Sequence, residues 1–282
     1  MTTRVQGKGA VLEMDPSGKA LIIGERINPS GKPALRQAIL DENWEFVQQE
    51  AIDQVAAGAD ILDVNVGGKG IDEVASLSKA VAAIVKVVDV PLCIDTRYPE
   101  ALEKALAVCP GRPLVNSISA EKKTLAEMLP VVARHNLPVI VLCMGPGGIP
   151  EEPEKRIQNA RDAVAAAIKA GVKEEDLVFD PLVMPVGADD QAGVVTLETI
   201  RRLRELFPGN SITGGASNIS FGMPMRPVLN ANWMQVASFM GMNAPITDPL
   251  EKDLVFAQLC CNAFRGLDKR TKGYMRYCRE IS

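Results

Sequence analysis

The chain has 282 residues, of which 47% are hydrophobic, and its formal net charge is -4. This length and composition suffice for one large core, so we expect a single domain over residues 1–282. The slightly acidic balance argues against nucleic acid or an anionic membrane surface as a partner. No apolar run reaches the roughly 18 residues of a membrane span. The opening residues 1–19 lack the apolar stretch of a secretory signal, and we expect them to form a cap.

Eight short apolar runs predict β-strands. They are apolar throughout rather than alternating, which is typical of strands buried on both faces. The runs lie at residues 20–25, 60–65, 91–96, 113–118, 138–143, 176–181, 211–216 and 244–249. Between them, apolar residues recur at three- and four-residue steps and predict helices, for example over 43–58, 70–88 and 154–171. Gly58 and Gly171 stand where helix C-caps are expected.

Eight strand–helix units in a chain of this length predict a closed (β/α)8 TIM barrel. An open doubly wound sheet is the competing architecture, and it requires a glycine-rich phosphate loop after its first strand. The first predicted strand instead ends in "GERINPSGK", which does not match that loop. The sequence therefore favours the barrel.

Cysteine and histidine usage excludes several kinds of site. The six cysteines have no CxxC spacing, which indicates a reduced, cytoplasmic protein with neither a disulfide framework nor a zinc site. The single histidine, His135, falls at a predicted helix end. One histidine excludes a Ser-His-Asp triad and a multi-histidine metal centre. We therefore expect no metal bound by this chain.

The last residues, 265–282, form a basic segment. It carries Lys269, Arg270, Lys272, Arg276 and Arg279 against few acidic residues. A solvated terminal helix and a docking surface are both compatible with this pattern, and the helix is favoured.

Polar side chains appear where the predicted strands end. They are Glu25, Asn28, Asp63, Asn65, Asp95, Asn116, Asp180, Asn218 and Asp248. In a barrel all these positions face the end where active sites lie. A helix-capping role is an alternative for Asp63 and Asp248. Together, carboxylates and carboxamides suit a flat neutral ligand with a dense edge of donors and acceptors, such as the 2-amino-4-oxo pyrimidine ring of guanine and pterins.

Six motifs in order carry a resemblance to a known family. They are "LIIGERIN", "LDVNVG", "CIDT", "VNSIS", "FDPLVMPV" and "GASNISFGMPMRP". Over about residues 20–264 the chain resembles the pterin-binding methyltransferases. These comprise the methyltetrahydrofolate:corrinoid/iron–sulfur protein methyltransferases and the folate module of cobalamin-dependent methionine synthase. The resemblance implies a dihydropteroate-synthase-like, pterin-binding barrel.

The same resemblance assigns roles to residues at the strand ends. It implies that Asp180 binds the exocyclic amine and the adjacent ring N–H of the pterin, while Asn116 and Asp95 hold the other ring nitrogens. Asp63 and Asn65 are weaker candidates. Glu25 and Asn28 belong to the first motif and are expected to make no ligand contact.

The last motif supplies the reacting part of the expected site. The resemblance implies that the backbone at Gly215 and Ser217 lies close to the ring and that Arg226 can reach the folate. It also implies that Asn218 hydrogen-bonds N5, the nitrogen that bears the methyl group. Its carboxamide donates to unprotonated N5 and, after rotation, accepts from N5–H⁺, a form of electrostatic catalysis.

The expected reaction moves a methyl group between N5 of tetrahydrofolate and the cobalt of a corrinoid. The sequence has no DxHxxG-type corrinoid motif, so we expect the corrinoid on a separate protein that docks at the barrel mouth. Methyl transfer in either direction fits the sequence, and the resemblance implies a homodimer. Three alternatives stay open: a dihydropteroate synthase-like enzyme, a non-catalytic folate-binding module, and a methyltransferase that uses tetrahydromethanopterin.

Overall fold

The structure is a computed structural model that describes residues 2–281. The first residue of the predicted cap and the last residue of the predicted basic segment lie outside the described residues. The strands are β1 (Thr3–Gln6), β2 (Val11–Met14), β3 (Ile23–Ile27), β4 (Ile61–Val64), β5 (Leu92–Asp95), β6 (Leu114–Ile118), β7 (Val139–Leu142), β8 (Leu177–Asp180), β9 (Thr213–Gly215) and β10 (Ala244–Thr247).

Helices follow each strand of the main sheet except β9, which is followed first by a short 3₁₀ turn, Ala216–Ser220. The helices are α1 (Pro33–Leu40), α2 (Trp44–Ala56), α3 (Glu73–Ile84), α4 (Pro99–Leu106), α5 (Lys122–Arg134), α6 (Pro153–Lys169), α7 (Ala192–Leu206), α8 (Arg226–Met240), α9 (Lys252–Phe264) and α10 (Lys272–Ile281). None of these helices is both long enough and apolar enough to cross a membrane, over the residues that the structure describes.

The strands β3 to β10 form one parallel sheet in the order β8-β7-β6-β5-β4-β3-β10-β9. Its two outer strands meet through a parallel bridge between Phe179 and Ile212, where the Phe179 N–H donates to the Ser211 carbonyl at 2.9 Å. The sheet thus curves into a barrel of eight strands. The TIM barrel predicted from the sequence is confirmed, as are all eight strands.

The helix ends follow local capping chemistry. The α3 helix is shorter than the predicted 70–88 because the Asp72 side chain accepts a hydrogen bond from the Ala75 N–H and begins the helix there. Gly58 and Gly171 have φ of 103° and 94° and follow the ends of α2 and α6. The predicted C-cap glycines are therefore confirmed, since this conformation favours residues without a Cβ.

Apolar side chains form two layers. The larger layer lies between the strands and the surrounding helices. The smaller one fills the barrel interior with one or two side chains from most strands, including Ile23, Ile61 and Leu114, together with Val5 and Met14 of the β1–β2 hairpin. Both hairpin side chains are fully buried, so the hairpin closes the amino-terminal end of the barrel.

Hydrogen bonds fasten this hairpin to the residues that precede the strands. Backbone groups of Gln6 and Arg112 pair in both directions at 2.9 Å. The Ser211 hydroxyl donates to the Met14 carbonyl at 2.9 Å, and the Thr3 hydroxyl donates to the Glu175 carbonyl at 2.7 Å. The hairpin is therefore an integral part of the barrel base.

The end of the chain packs against α9. The ring of Phe256 lies edge-on to the rings of Tyr274 and Tyr277 of α10, with centroid distances of 6.1 and 5.1 Å. The basic segment thus contains the favoured terminal helix, and that helix is anchored by aromatic side chains.

Candidate active site

The side chains inside the barrel form an apolar layer and a polar layer. Each of several strands contributes one residue to the apolar layer and the residue two positions later to the polar layer. Side chains alternate between the two faces of a strand, so residues i and i+2 point the same way. Two residues after the interior apolar side chains Ile23, Ile61, Cys93, Leu114 and Val178 come the polar residues of the open end. These are Glu25, Asp63, Asp95, Asn116 and Asp180.

On β4 to β6 the polar residues are already paired with one another. The Asn116 amide donates to Asp63 at 3.1 Å, and the Asn65 amide donates to Asp95 at 2.9 Å. The side-chain oxygen of Asn65 accepts a hydrogen bond from the Gly67 N–H at 2.7 Å. Asp63 and Asn65, the weaker candidates, thus hydrogen-bond to Asn116 and Asp95 and fix the orientation of those two side chains.

Asp180 stands at the end of β8 and accepts a hydrogen bond from the Leu182 N–H at 2.7 Å. Leu182 has φ of 68°, in the left-handed region that a branched side chain disfavours. The buried guanidinium of Arg156 donates to the carbonyls of Pro181 and Leu182, both at 2.7 Å. Arg156 therefore stabilises the strained turn that holds Asp180.

Burial raises the pKa of the carboxyl groups at this end of the barrel. It raises the pKa of Asp180 to about 6, against the opposing effects of the Leu182 N–H and Arg156. It raises the pKa of Asp95 to about 6 as well, with the hydrogen bond from Asn65 acting in the opposite direction. The pKa of Asp63 lies well above its ordinary value because of burial and the neighbouring Asp95 charge. These acids favour a ligand that donates N–H groups, since such donors stabilise the ionised form.

Two adjacent glycines, Gly214 and Gly215, leave space for the side chains of Asp180 and Asn218. A Cβ on Gly214 would lie 3.3 Å from an Asp180 oxygen, and one on Gly215 would lie 2.8 Å from the Asn218 amide nitrogen. Gly214 also has φ of 149°. Glycine at 215 was expected in order to spare the ligand. In the structure it first leaves room for the Asn218 carboxamide.

Asn218 is the exposed residue of an otherwise buried turn. Ala216, Ser217, Ile219 and Ser220 are buried, whereas Asn218 is exposed. Within residues 2–281, no side-chain hydrogen bond occupies its carboxamide. The turn thus holds one amide at the open end of the barrel, beside the wall that ends in Asp180.

Ser217 and Arg226 are placed as parts of this turn. The Ser217 hydroxyl donates to Glu25 at 2.8 Å. The Arg226 guanidinium donates to the Ser217 carbonyl at 2.9 Å and to the Ser220 hydroxyl at 3.0 Å. Arg226 therefore braces the turn, and a direct contact between Arg226 and a substrate stays a prediction.

Two cavities of similar size lie in different parts of the molecule. One of about 720 Å³ opens beside β4 and β5 and is lined by Asn65 and Asp95, with Asn28, Gly67 and Arg97 around it. The other, of about 660 Å³, lies on the outer surface between α2, α9 and α10 and contains none of the predicted site residues. The first adjoins the polar groups described above, so the candidate site continues into it.

Two residues of this region make contacts that were not predicted from the sequence. Arg156 belongs to α6, and only the fold brings it beneath the Asp180 turn. Glu25 was named as a strand-end residue without an expected contact, and its hydrogen bond to Ser217 joins residues 192 positions apart. A buried position on a parallel strand was the signal that Glu25 faces the site.

A parallel barrel with polar groups gathered at the carboxyl ends of its strands has the form of a TIM-barrel enzyme. The chain matches the family described as pterin binding enzyme over residues 24–246. It therefore belongs to the pterin-binding enzymes, and the family recognised from the six motifs is confirmed.

Individual relatives add detail. The chain is 31% identical over 262 residues to a methylcorrinoid:tetrahydrofolate methyltransferase of Eubacterium limosum, with 92% of this chain and 96% of the relative covered. It is 28% identical over 238 residues to methionine synthase of Mycobacterium tuberculosis, with 80% of this chain but 20% of that longer protein covered. Among solved structures, dihydropteroate synthase of Yersinia pestis superposes with a TM-score of 0.70 at 18% identity, covering 94% and 99% of the two chains. This last similarity concerns the fold.

Proposed function

We propose that this protein transfers a methyl group between N5 of tetrahydrofolate and the cobalt of a corrinoid carried by a separate protein. The exposed Asn218 carboxamide, beside the wall that ends in Asp180, is the observation that carries the proposal. The methylcorrinoid:tetrahydrofolate methyltransferase of Eubacterium limosum, similar over 92% of this chain, supports it.

The pterin edge would bind to the oriented acids and amides. Ionised Asp180 can accept two N–H groups, from the exocyclic amine and the adjacent ring nitrogen. Asn116 and Asp95 would bind the other ring nitrogens, in orientations fixed by Asp63 and Asn65. A ligand without these N–H groups would leave buried acceptors unpaired, which provides selectivity for the pterin.

Asn218 would act at the reacting nitrogen. Its amide can donate to N5 before protonation and its carbonyl can accept from N5–H⁺, so the side chain serves both states without losing a proton itself. A preorganised hydrogen-bonding group of this kind contributes roughly 10²–10³ in rate. The proton on N5 would then come from solvent or from another group at the mouth.

The corrinoid carrier would dock beside Asn218. Residues 221–225 follow the Asn218 turn directly, and two of their apolar side chains are strongly exposed, Phe221 at 67% and Met225 at 73%. A corrin ring has large apolar faces, so these exposed apolar side chains suit contact with the ring or its carrier when the cobalt approaches the methyl group. In the direction suggested by the name of the Eubacterium limosum relative, the methyl group would pass from the corrinoid to tetrahydrofolate.

The proposed function is tested by comparing Asn218→Ala with the wild type. The purified protein is mixed with methylcobalamin and tetrahydrofolate, or with cob(I)alamin and methyltetrahydrofolate, and the cobalt absorbance is followed. We expect Asn218→Ala to lower the rate by about 10²–10³-fold, while folate affinity by calorimetry changes much less. Asn232→Ala, an exposed asparagine on α8, serves as the control and should keep the wild-type rate.

Two outcomes would contradict the proposal. Equal losses of rate and folate affinity in Asn218→Ala would indicate a binding module without catalysis. Formation of dihydropteroate from pterin pyrophosphate and p-aminobenzoate would indicate a dihydropteroate synthase instead. Tetrahydromethanopterin is compared with tetrahydrofolate in the same assay, and we expect the folate to be the better substrate.

We also propose a homodimer through α8. Trp233, Met234 and Ala237 of this helix are buried in the core, but Val236 and Phe239 are 48% and 70% exposed. Phe264 of the adjacent α9 is 75% exposed. Sedimentation should show a dimer, and Phe239→Glu should shift it to monomer; a monomeric wild type would contradict this.

A further inference from the structure

Glu25 connects three neighbouring strand ends at the mouth of the barrel. It lies near the end of β3, and its carboxylate accepts a hydrogen bond from the Ser217 hydroxyl at 2.8 Å. That hydroxyl also lies 3.4 Å from the Thr247 hydroxyl at the end of β10. Because β10 lies between β3 and β9 in the sheet, the bond from Glu25 joins β3 to the turn that follows β9.

The hydrogen bond from Ser217 is the main polar contact of the Glu25 carboxylate, because the charged groups around it are engaged elsewhere or are acids. Lys32 is the nearby cation, but its ammonium donates to the backbone carbonyl of Arg26 at 2.9 Å. Arg26 itself pairs with Glu50 and Asp248. The other charged groups that face Glu25 are acids, namely Asp63, Asp248 and Glu251. Within residues 2–281, no salt bridge joins Glu25 to a cation, and the Lys32 charge favours its ionised form from a distance.

The turn that carries Asn218 is therefore held from two sides. From the barrel interior, Glu25 accepts from the Ser217 hydroxyl. From the outside, Arg226 donates to the Ser217 carbonyl and the Ser220 hydroxyl, and the Ser220 hydroxyl in turn donates to Asn230 of α8 at 2.6 Å. Ser217 is adjacent to Asn218, so a shift of Ser217 displaces the exposed amide directly.

We propose that Glu25 is a positioning residue for methyl transfer, which holds Asn218 in place through Ser217. The inference rests on the proposed function and adds a residue for which no ligand contact was expected. A displacement of about 1 Å in a catalytic group can cost as much as 10² in rate. Loss of the inner anchor should accordingly slow the reaction without preventing the pterin from binding.

The same contact makes the position of the turn dependent on pH. Burial raises the pKa of Glu25 to about 7, with the hydrogen bond from Ser217 and the Lys32 charge opposing that increase. Ionised Glu25 accepts the Ser217 hydrogen bond as a charged acceptor. Protonated Glu25 keeps an oxygen that can accept the same bond, but without the charge the bond is weaker. The turn is thus held more firmly above pH 7 than below it.

The test uses variants that separate the hydrogen bond from the charge. Glu25→Gln keeps an oxygen that accepts from Ser217 but does not titrate. Glu25→Ala and Ser217→Ala remove the bond. Asp60→Asn serves as the matched control, because Asp60 is another carboxyl group whose pKa burial raises, to about 6, and it lies at the opposite end of the barrel.

Methyl transfer between methylcobalamin and tetrahydrofolate is followed by cobalt absorbance from pH 5.5 to 8.5. At pH 8 we expect Glu25→Ala and Ser217→Ala to be slower by about tenfold or more, and Glu25→Gln to stay within about threefold of the wild type. Folate affinity by calorimetry should change by less than about threefold in all of them. The wild-type rate should fall by up to about threefold as the pH decreases through 7, towards the rate of Glu25→Gln, and this fall should be absent in Glu25→Gln but present in Asp60→Asn.

Three outcomes would overturn the inference: a wild-type rate in Glu25→Ala, an equal loss of rate and folate affinity, or a fall near pH 7 that persists in Glu25→Gln. A thermal unfolding midpoint for each variant separates these results from misfolding. Absence of methyl transfer in the wild type itself would overturn the proposed function. An active wild type with an equally active Glu25→Ala would overturn only the role of Glu25.

Discussion

The two ends of the barrel are built by the same strands, yet their chemistry is opposite. At the amino-terminal end the interior side chains are apolar, and the β1–β2 hairpin covers them with Val5 and Met14. Two residues further along, the interior side chains are acids and amides at an open mouth. The comparison shows how one strand can contribute both to stability and to activity, with a separation of only two residues.

Removal of a side chain at the closed end should give the largest effect on stability. Met14 is fully buried, and Met14→Ala leaves a cavity, so we expect a loss of about 2–5 kcal/mol in the free energy of unfolding. Val11→Ala in the same hairpin, at a position 57% exposed, should change it by less than about 0.5 kcal/mol. Denaturant unfolding measures both. A lower methyl-transfer rate in folded Met14→Ala would contradict the conclusion that the closed end contributes to stability and not to activity.

A change at the open end should instead affect binding. Asp180→Asn can still accept from the Leu182 N–H, but it cannot accept two pterin N–H groups as an anion does. We expect folate affinity to fall by about 1–3 kcal/mol, roughly fivefold to 150-fold, as measured by calorimetry. The free energy of unfolding should not fall at pH 7, because the ionised carboxylate is disfavoured by burial in the free protein. A large loss of stability would indicate that Asp180 belongs to the stabilising layer.

The raised pKa values of the mouth acids predict proton release on binding. Free Asp180 has a pKa of about 6, so about half of the molecules carry this proton at pH 6. Pterin N–H donors favour the carboxylate, and Asp180 alone should then release about half a proton at pH 6 and almost none at pH 8. Calorimetry in two buffers of different ionisation enthalpy measures the release. Heats that are independent of buffer at pH 6 would contradict it.

The smallest effect is expected at the rim. Phe221→Ala and Met225→Ala should weaken only the interaction with the corrinoid carrier, with a rise of a few-fold in its KM and unchanged folate affinity. Exposed Val194→Ala on α7 is the control. An effect on folate affinity but not on the carrier would show that this loop belongs to the pterin site.

The barrel could be predicted because its strands are buried on both faces. Runs such as "PVIVLC" and "DLVFDP" contain almost no polar residue until the strand ends, and this pattern gives both the strand and the position of the open end. The hairpin was predicted only as a cap. Its strands, Thr3–Gln6 and Val11–Met14, have four residues each and expose part of their side chains, so they carry little of that signal.

The site could be predicted as far as it follows from strand ends. Asp95, Asn116 and Asp180 were placed by that rule and by the resemblance, and the structure brings them to one end of the barrel. The supporting contacts could not be predicted in the same way. The bond between Ser217 and Glu25 and that between Arg156 and the Asp180 turn depend on how distant segments pack, and a local pattern contains no information on this.

The strands β8 and β9 are joined by the bridge between Phe179 and Ile212. Asp180, which is expected to bind the pterin ring, lies on one side of this join, and Asn218, which is expected to act at N5, lies on the other. Every other neighbouring pair in the sheet is tied by two or more residue pairs. A slight spreading of the cylinder along this line would alter the spacing between Asp180 and Asn218 while leaving each of them intact. The distance between the two residues with these expected roles therefore depends on the join that has the fewest paired residues in the sheet.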